Sequence, residues 1–111
     1  MDKLFEKEYT DDYNCAHFAV DAWRYETGED ISGLLIPAGD GVTITRELAS
    51  KFERGIGEPS IVLAKKKYRP PHVGLYIRGK VLHLPERGHP ERINLDYFIW
   101  GFERIIWYRR K

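Results

Sequence analysis

The chain has one cysteine, Cys15, in 111 residues. A single thiol excludes an internal disulfide and any zinc site built on several cysteines. Neither sign of charge is in excess: 18 basic residues face 17 acidic ones, a net charge of +1. That balance excludes a nucleic-acid partner held by bulk electrostatics. No apolar run approaches the ~18 residues of a membrane span, so no membrane-spanning helix is expected. The charged start from Met1 to Glu8 lacks the apolar middle of a secretory signal. Synthesis in the cytoplasm without a signal peptide is therefore expected, and action outside the membrane would require separate delivery. Repeats, low-complexity linkers and composition breaks are also missing, which predicts one domain over residues 1–111. What is present is enough for one modest core: 42% hydrophobic and 14% aromatic residues. Two basic clusters, Lys65-Lys66-Lys67 with Arg69 and Arg109-Arg110-Lys111, read as solvated strand ends.

The periodicity changes partway along the chain. Cys15, Phe18, Ala19, Ala22 and Trp23 share one helical face, which predicts a helix over residues 14–27. Asp11, Asp12 and Asn14 offer N-cap oxygens, and Gly28 suits the position after the last turn. The glycines and proline from Gly33 to Gly41 predict a loop. Thr43 or Thr45 predicts the cap of a second helix reaching Arg54. Beyond Pro59 the pattern is that of strands: residues 61–64, 73–77, 81–84 and 93–95, then a helical turn near 97–100. The last, residues 102–108, is apolar on both faces and suits a central strand. Helices first and an antiparallel sheet after make an α+β protein.

Cys15 opens its helix, where free N–H groups and partial positive charge favour a thiolate and can receive an oxyanion. The alternative is a buried structural cysteine. Downstream, His72 and His83 flank a hairpin. A turn on Arg78-Gly79 pairs Ile77 with Lys80, Tyr76 with Val81 and Gly74 with His83. His72 and His83 then point the same way as diagonal neighbours within roughly 7 Å, with Gly74 leaving space between them. In that arrangement Cys15 is the nucleophile, His72 its base, and His83 the group that orients the base. Two unrelated strand histidines and a Cys15–His72–His83 zinc site remain as alternatives, although no closely spaced ligand pair supports zinc. No metal or cofactor is expected. His17 is expected on the exposed helix face near Asp21, and His89 in a loop, neither with a chemical role.

The segments Tyr13-Asn14-Cys15-Ala16-His17-Phe18, Pro71-His72-Val73-Gly74-Leu75-Tyr76-Ile77 and Val81-Leu82-His83 together resemble the NlpC-type cysteine peptidases. The resemblance runs from about Tyr9 to Tyr108. It implies a small papain-like α+β fold, with Cys15, His72 and His83 as the catalytic residues. Asn14 stands where that family has aspartate, and Ala16-His17 where it has serine-glycine. Asn14-Cys15 is also similar to the lecithin retinol acyltransferase-like proteins, but there the histidine strand precedes the cysteine. The implied activity is hydrolysis of an amide in the peptide stem of bacterial peptidoglycan, usually between D-glutamate and the next diamino acid. The implied partners are phage tail or secretion-apparatus proteins. An acyltransferase or thioesterase, and a catalytically idle tail or assembly module, are the alternatives.

Overall fold

The computed structural model describes residues 2–111. A short helix α1 (Asp2–Phe5) precedes the main helix α2 (Cys15–Thr27). Helix α2 begins where it does because of a reciprocal cap. The Asn14 side-chain oxygen accepts the Ala16 amide at 2.8 Å, and His17 Nδ1 accepts the Asn14 amide at 3.0 Å. It ends at Gly28, whose left-handed φ of 79° lets its amide donate to the Arg24 carbonyl at 2.8 Å. The apolar stripe from Cys15 to Trp23 is buried against the sheet.

The next stretch departs from the sequence expectation. The loop is a hairpin, β1 (Leu35–Ala38) paired antiparallel with β2 (Gly41–Ile44). The expected second helix shrinks to one turn, α3 (Leu48–Lys51), followed by β3 (Phe52–Arg54). Tertiary packing overrides local propensity in both places. Leu35 and Val42 are drawn into the core under α2, and Thr43 is extended within β2. Phe52 is buried against Trp23, which pulls residues 52–54 into the sheet instead of a continuing helix. Gly41 is required by a close approach: a Cβ there would lie 2.3 Å from the Pro71 carbonyl oxygen.

The remaining elements are β4 (Ser60–Lys65), β5 (His72–Ile77), β6 (Lys80–His83), β7 (Glu91–Asn94), α4 (Leu95–Ile99) and β8 (Arg104–Arg110). The six-stranded sheet has the order β3-β8-β4-β5-β6-β7, with every neighbour antiparallel. The protein is therefore α+β, with antiparallel sheets and few helices. Strand β8 lies inside the sheet, as its two-faced apolar run requires. Ile61, Leu63, Val73, Leu75 and Leu82 belong to the large core with α2. Val62, Ala64 and Val81 form a smaller cluster with Phe98 of α4 on the other face. Two apolar layers thus cover the central strands, one on each side.

The β5–β6 turn sets the register that matters most. Arg78 and Gly79 both have positive φ, 51° and 77°, the signature of a tight two-residue turn matched to strand twist. Ile77 pairs with Lys80 and Tyr76 with Val81. An even register keeps His72, Gly74 and His83 on one face. At Gly74 any Cβ would meet Val81 Cγ1 at 3.0 Å and His83 Cβ at 3.2 Å.

Candidate active site

Cys15 occupies the first helical position, with its side chain 1% exposed. Its Sγ contacts the Asp40 carbonyl oxygen at 3.9 Å, in the turn between β1 and β2. Burial pushes the thiol up to about 11, although the nearby amides of Val73, Ala16 and Cys15 favour the thiolate. The expectation of a lowered thiol pKa is thus corrected. Helix-start donors are present, but desolvation of a nearly enclosed sulfur outweighs them.

His72 starts β5 and His83 ends β6. Their rings meet edge to face, with His72 Nε2 2.8 Å from His83 Nδ1. Phe98 from α4 packs against both rings, and Phe102 stacks on His72. The histidines therefore face α4, whereas Cys15 belongs to the core on the α2 side of the sheet. The two sides meet at the start of β5, where the Val73 amide borders the sulfur. Among the described residues no hydrogen bond joins Cys15 to His72, because the thiol is turned to Asp40. The expected thiol–imidazole contact is absent from this conformation.

Burial, followed by repulsion from a charged His83, pulls His72 down to about 3. His83 is also shifted down by burial, against the opposing pull of Glu91. Both rings are therefore neutral near pH 7. Glu91, one strand over in β7, brings Oε2 to 3.1 Å from His83 Nε2. A carboxylate only accepts, so His83 carries its proton on Nε2 and leaves Nδ1 bare. His72 must then donate from Nε2, which leaves its own Nδ1 bare and able to accept a proton. That is the protonation state a general base needs.

A cavity of about 200 Å³ opens beside the histidines, lined by Asp40, Lys66, Arg69, His72, His83 and Phe102 among others. Cys15 does not line it. Asp40 sits on both sides of the divide, touching the sulfur through its carbonyl and the cavity through its body. Arg69 pins it, pairing with the Asp40 carboxylate and with Glu86 at 2.8 Å. The basic cluster expected to be a solvated strand end therefore contributes Lys66 and Arg69 to the cavity wall. An Arg69→Ala variant is expected to free the β1–β2 turn and speed alkylation of Cys15 by iodoacetamide. The two ion pairs are solvent-exposed and individually weak, so an increase of about two- to tenfold is expected. An unchanged alkylation rate would mean that the turn does not guard the thiol.

Asn14 acts beyond its cap, donating through Nδ2 to the Gly39 and Gly41 carbonyls at 3.2 and 2.8 Å. It thereby ties the start of α2 to the turn that covers the sulfur. His17 is consumed by the cap and stacks on Tyr13, and His89 lies exposed in its loop. Sequence reasoning missed Glu91 and Asp40. Glu91 could be found only through the β6–β7 register, since an acidic residue on an edge strand otherwise reads as solvated. Among the described residues no group of three or more His, Cys, Asp or Glu is arranged to hold a metal ion, and no helix is long and apolar enough to cross a membrane. No family model, curated protein or solved structure matches the chain.

Proposed function

We propose that this protein is a papain-like, NlpC-type cysteine peptidase that hydrolyses an amide in the peptide stem of bacterial peptidoglycan. The observation that carries the reading is the 2.8 Å contact between His72 Nε2 and His83 Nδ1 beside the capped start of a helix that opens on the only cysteine. Cys15, His72 and His83 are the proposed nucleophile, base and orienting group.

In this mechanism the thiol leaves the Asp40 carbonyl and gives its proton to His72 Nδ1. Sulfur attacks the scissile carbonyl, forming the C–S bond. The Asn14 side chain already takes the amides of Ala16 and His17, so the Cys15 amide remains to receive the oxyanion. As the intermediate collapses, the C–N bond breaks and His72 returns its proton to the leaving amine. Water then attacks the thioester, His72 takes its proton, and the carboxylate product departs with the thiol restored. With the thiol protonated at rest, its proton passes to His72 as the sulfur attacks. Lys66 on the cavity wall supplies a cation for a free stem carboxylate, while Arg69 is held by Asp40 and Glu86. Delivery to the wall, by a virion tail or an export apparatus, is part of the same reading.

The test is mass spectrometry of muropeptides after digestion of purified peptidoglycan by the wild type and by Cys15→Ala. The wild type is expected to release a new amine terminus within the stem. Cys15→Ala is expected to release none while keeping its fold. An idle assembly module would release nothing with either protein. A wild type that instead forms an acyl-enzyme with a lipid ester would be an acyltransferase or thioesterase.

A further inference from the structure

The hydrogen-bonded series does not stop at His83. Strands β6 and β7 pair so that His83 and Glu91 are direct cross-strand partners. Their side chains lie on one face, and the Glu91 carboxylate meets His83 Nε2 at 3.1 Å. We propose that Glu91 is a positioning residue, which fixes the tautomers of both histidines and so keeps His72 Nδ1 free for the Cys15 proton.

An isolated pair of neutral imidazoles can share one hydrogen bond in two ways. His72 donates from Nε2 to His83 Nδ1, or the proton sits on His83 Nδ1 and His72 Nε2 accepts it. The two arrangements are chemically opposite for the thiol. The first leaves His72 Nδ1 as an acceptor. The second places the His72 proton on Nδ1, where it cannot act as a base. The aromatic neighbours do not choose between them: Phe102 stacks on His72, Phe98 packs against both rings, and neither carries a polar atom. Glu91 chooses, because it accepts at His83 Nε2 and thereby forces the first arrangement. His83 is 7% exposed, while the Glu91 side chain is 49% exposed and half-solvated. The half-solvated carboxylate therefore loses little hydration in taking this role.

The proposal rests on the peptidase reading for its consequence in turnover, but the tautomers can be read without any substrate. The experiment is a two-bond 1H–15N spectrum of the histidine rings at pH 7, assigned with single histidine variants, for the wild type, Glu91→Ala and Glu91→Gln. In the wild type both His72 and His83 are expected to show a protonated Nε2 and a bare Nδ1. Glu91→Ala is expected to give a mixture with protonated Nδ1 at His72. Glu91→Gln is expected to restore the wild-type pattern, since its amide oxygen still accepts from His83. With muropeptide substrate, kcat should fall about tenfold in Glu91→Ala with KM unchanged, and recover in Glu91→Gln. A Glu91→Ala spectrum identical to the wild type would overturn the proposal. A shifted spectrum in a protein whose wild type cleaves no peptidoglycan would uphold it and sink the peptidase reading alone.

Discussion

His72→Phe is expected to lower turnover by roughly 10³-fold while making the protein less sensitive to acid. The first effect follows from removing the proposed base, a loss typical for a general base. Phenylalanine keeps a ring against Phe98 and Phe102, so the surrounding packing has little reason to collapse. The second effect follows from linkage. His72 has a folded pKa of about 3, below the ~6.5 of an unfolded histidine. Between those values the unfolded chain binds more protons, so stability falls as pH drops below about 6.5 and continues to fall toward 3. His83 is shifted in the same direction and adds to the slope. Thermal melts from pH 7 to pH 5 should therefore show a shallower decline for His72→Phe than for the wild type. Equal slopes would mean that His72 is not held neutral by the fold.

Trp23→Ala is expected to cost about 3–5 kcal/mol, a large share of the ~5–15 kcal/mol that holds a domain of this size. Trp23 is 1% exposed and sits where α2 meets the sheet. Its ring packs on Phe52 with centroids 5.2 Å apart, and its Nε1 donates to Glu29 at 3.0 Å. Glu29 in turn holds Arg110 of β8 at 2.9 Å. One substitution thus removes the largest buried side chain and leaves the Glu29 carboxylate with one fewer donor. The loss should appear as a fall in urea midpoint and a drop in Tm on the order of 15 °C. A cost below about 1 kcal/mol would mean that α2 is docked mainly by its N-terminal half.

The parts of this fold legible in the sequence are those fixed by local chemistry. Asn14 and Gly28 bound α2 because a cap oxygen and a left-handed glycine act within a few residues. The β5–β6 register followed from Arg78-Gly79, since a two-residue turn leaves no freedom in the pairing. The β1–β2 hairpin and β3 were hidden because long-range contacts decide them: Val42 answers to the α2 core, Gly41 to Pro71, and Phe52 to Trp23. The candidate site divides in the same way. The His72–His83 neighbourhood was readable from parity within one hairpin. Glu91 required knowing which strand lies beyond β6, and the Asp40 contact required knowing that a distant turn closes over α2. The thiol pKa was misjudged for a related reason: helix position is visible in sequence, but burial is not.

The measurement that tests the account most directly needs no substrate. It is the rate of Cys15 alkylation by iodoacetamide at pH 7 in the wild type and in His72→Phe. A thiol pushed up to about 11 by burial carries almost no thiolate of its own at pH 7, so its reactivity there depends on a base. The account predicts that the wild type reacts at least about tenfold faster than His72→Phe. It also predicts that the two rates converge as pH approaches 11, where the thiol ionises unaided. Equal rates at pH 7 would contradict it, and would make Cys15 a buried structural residue that His72 does not serve.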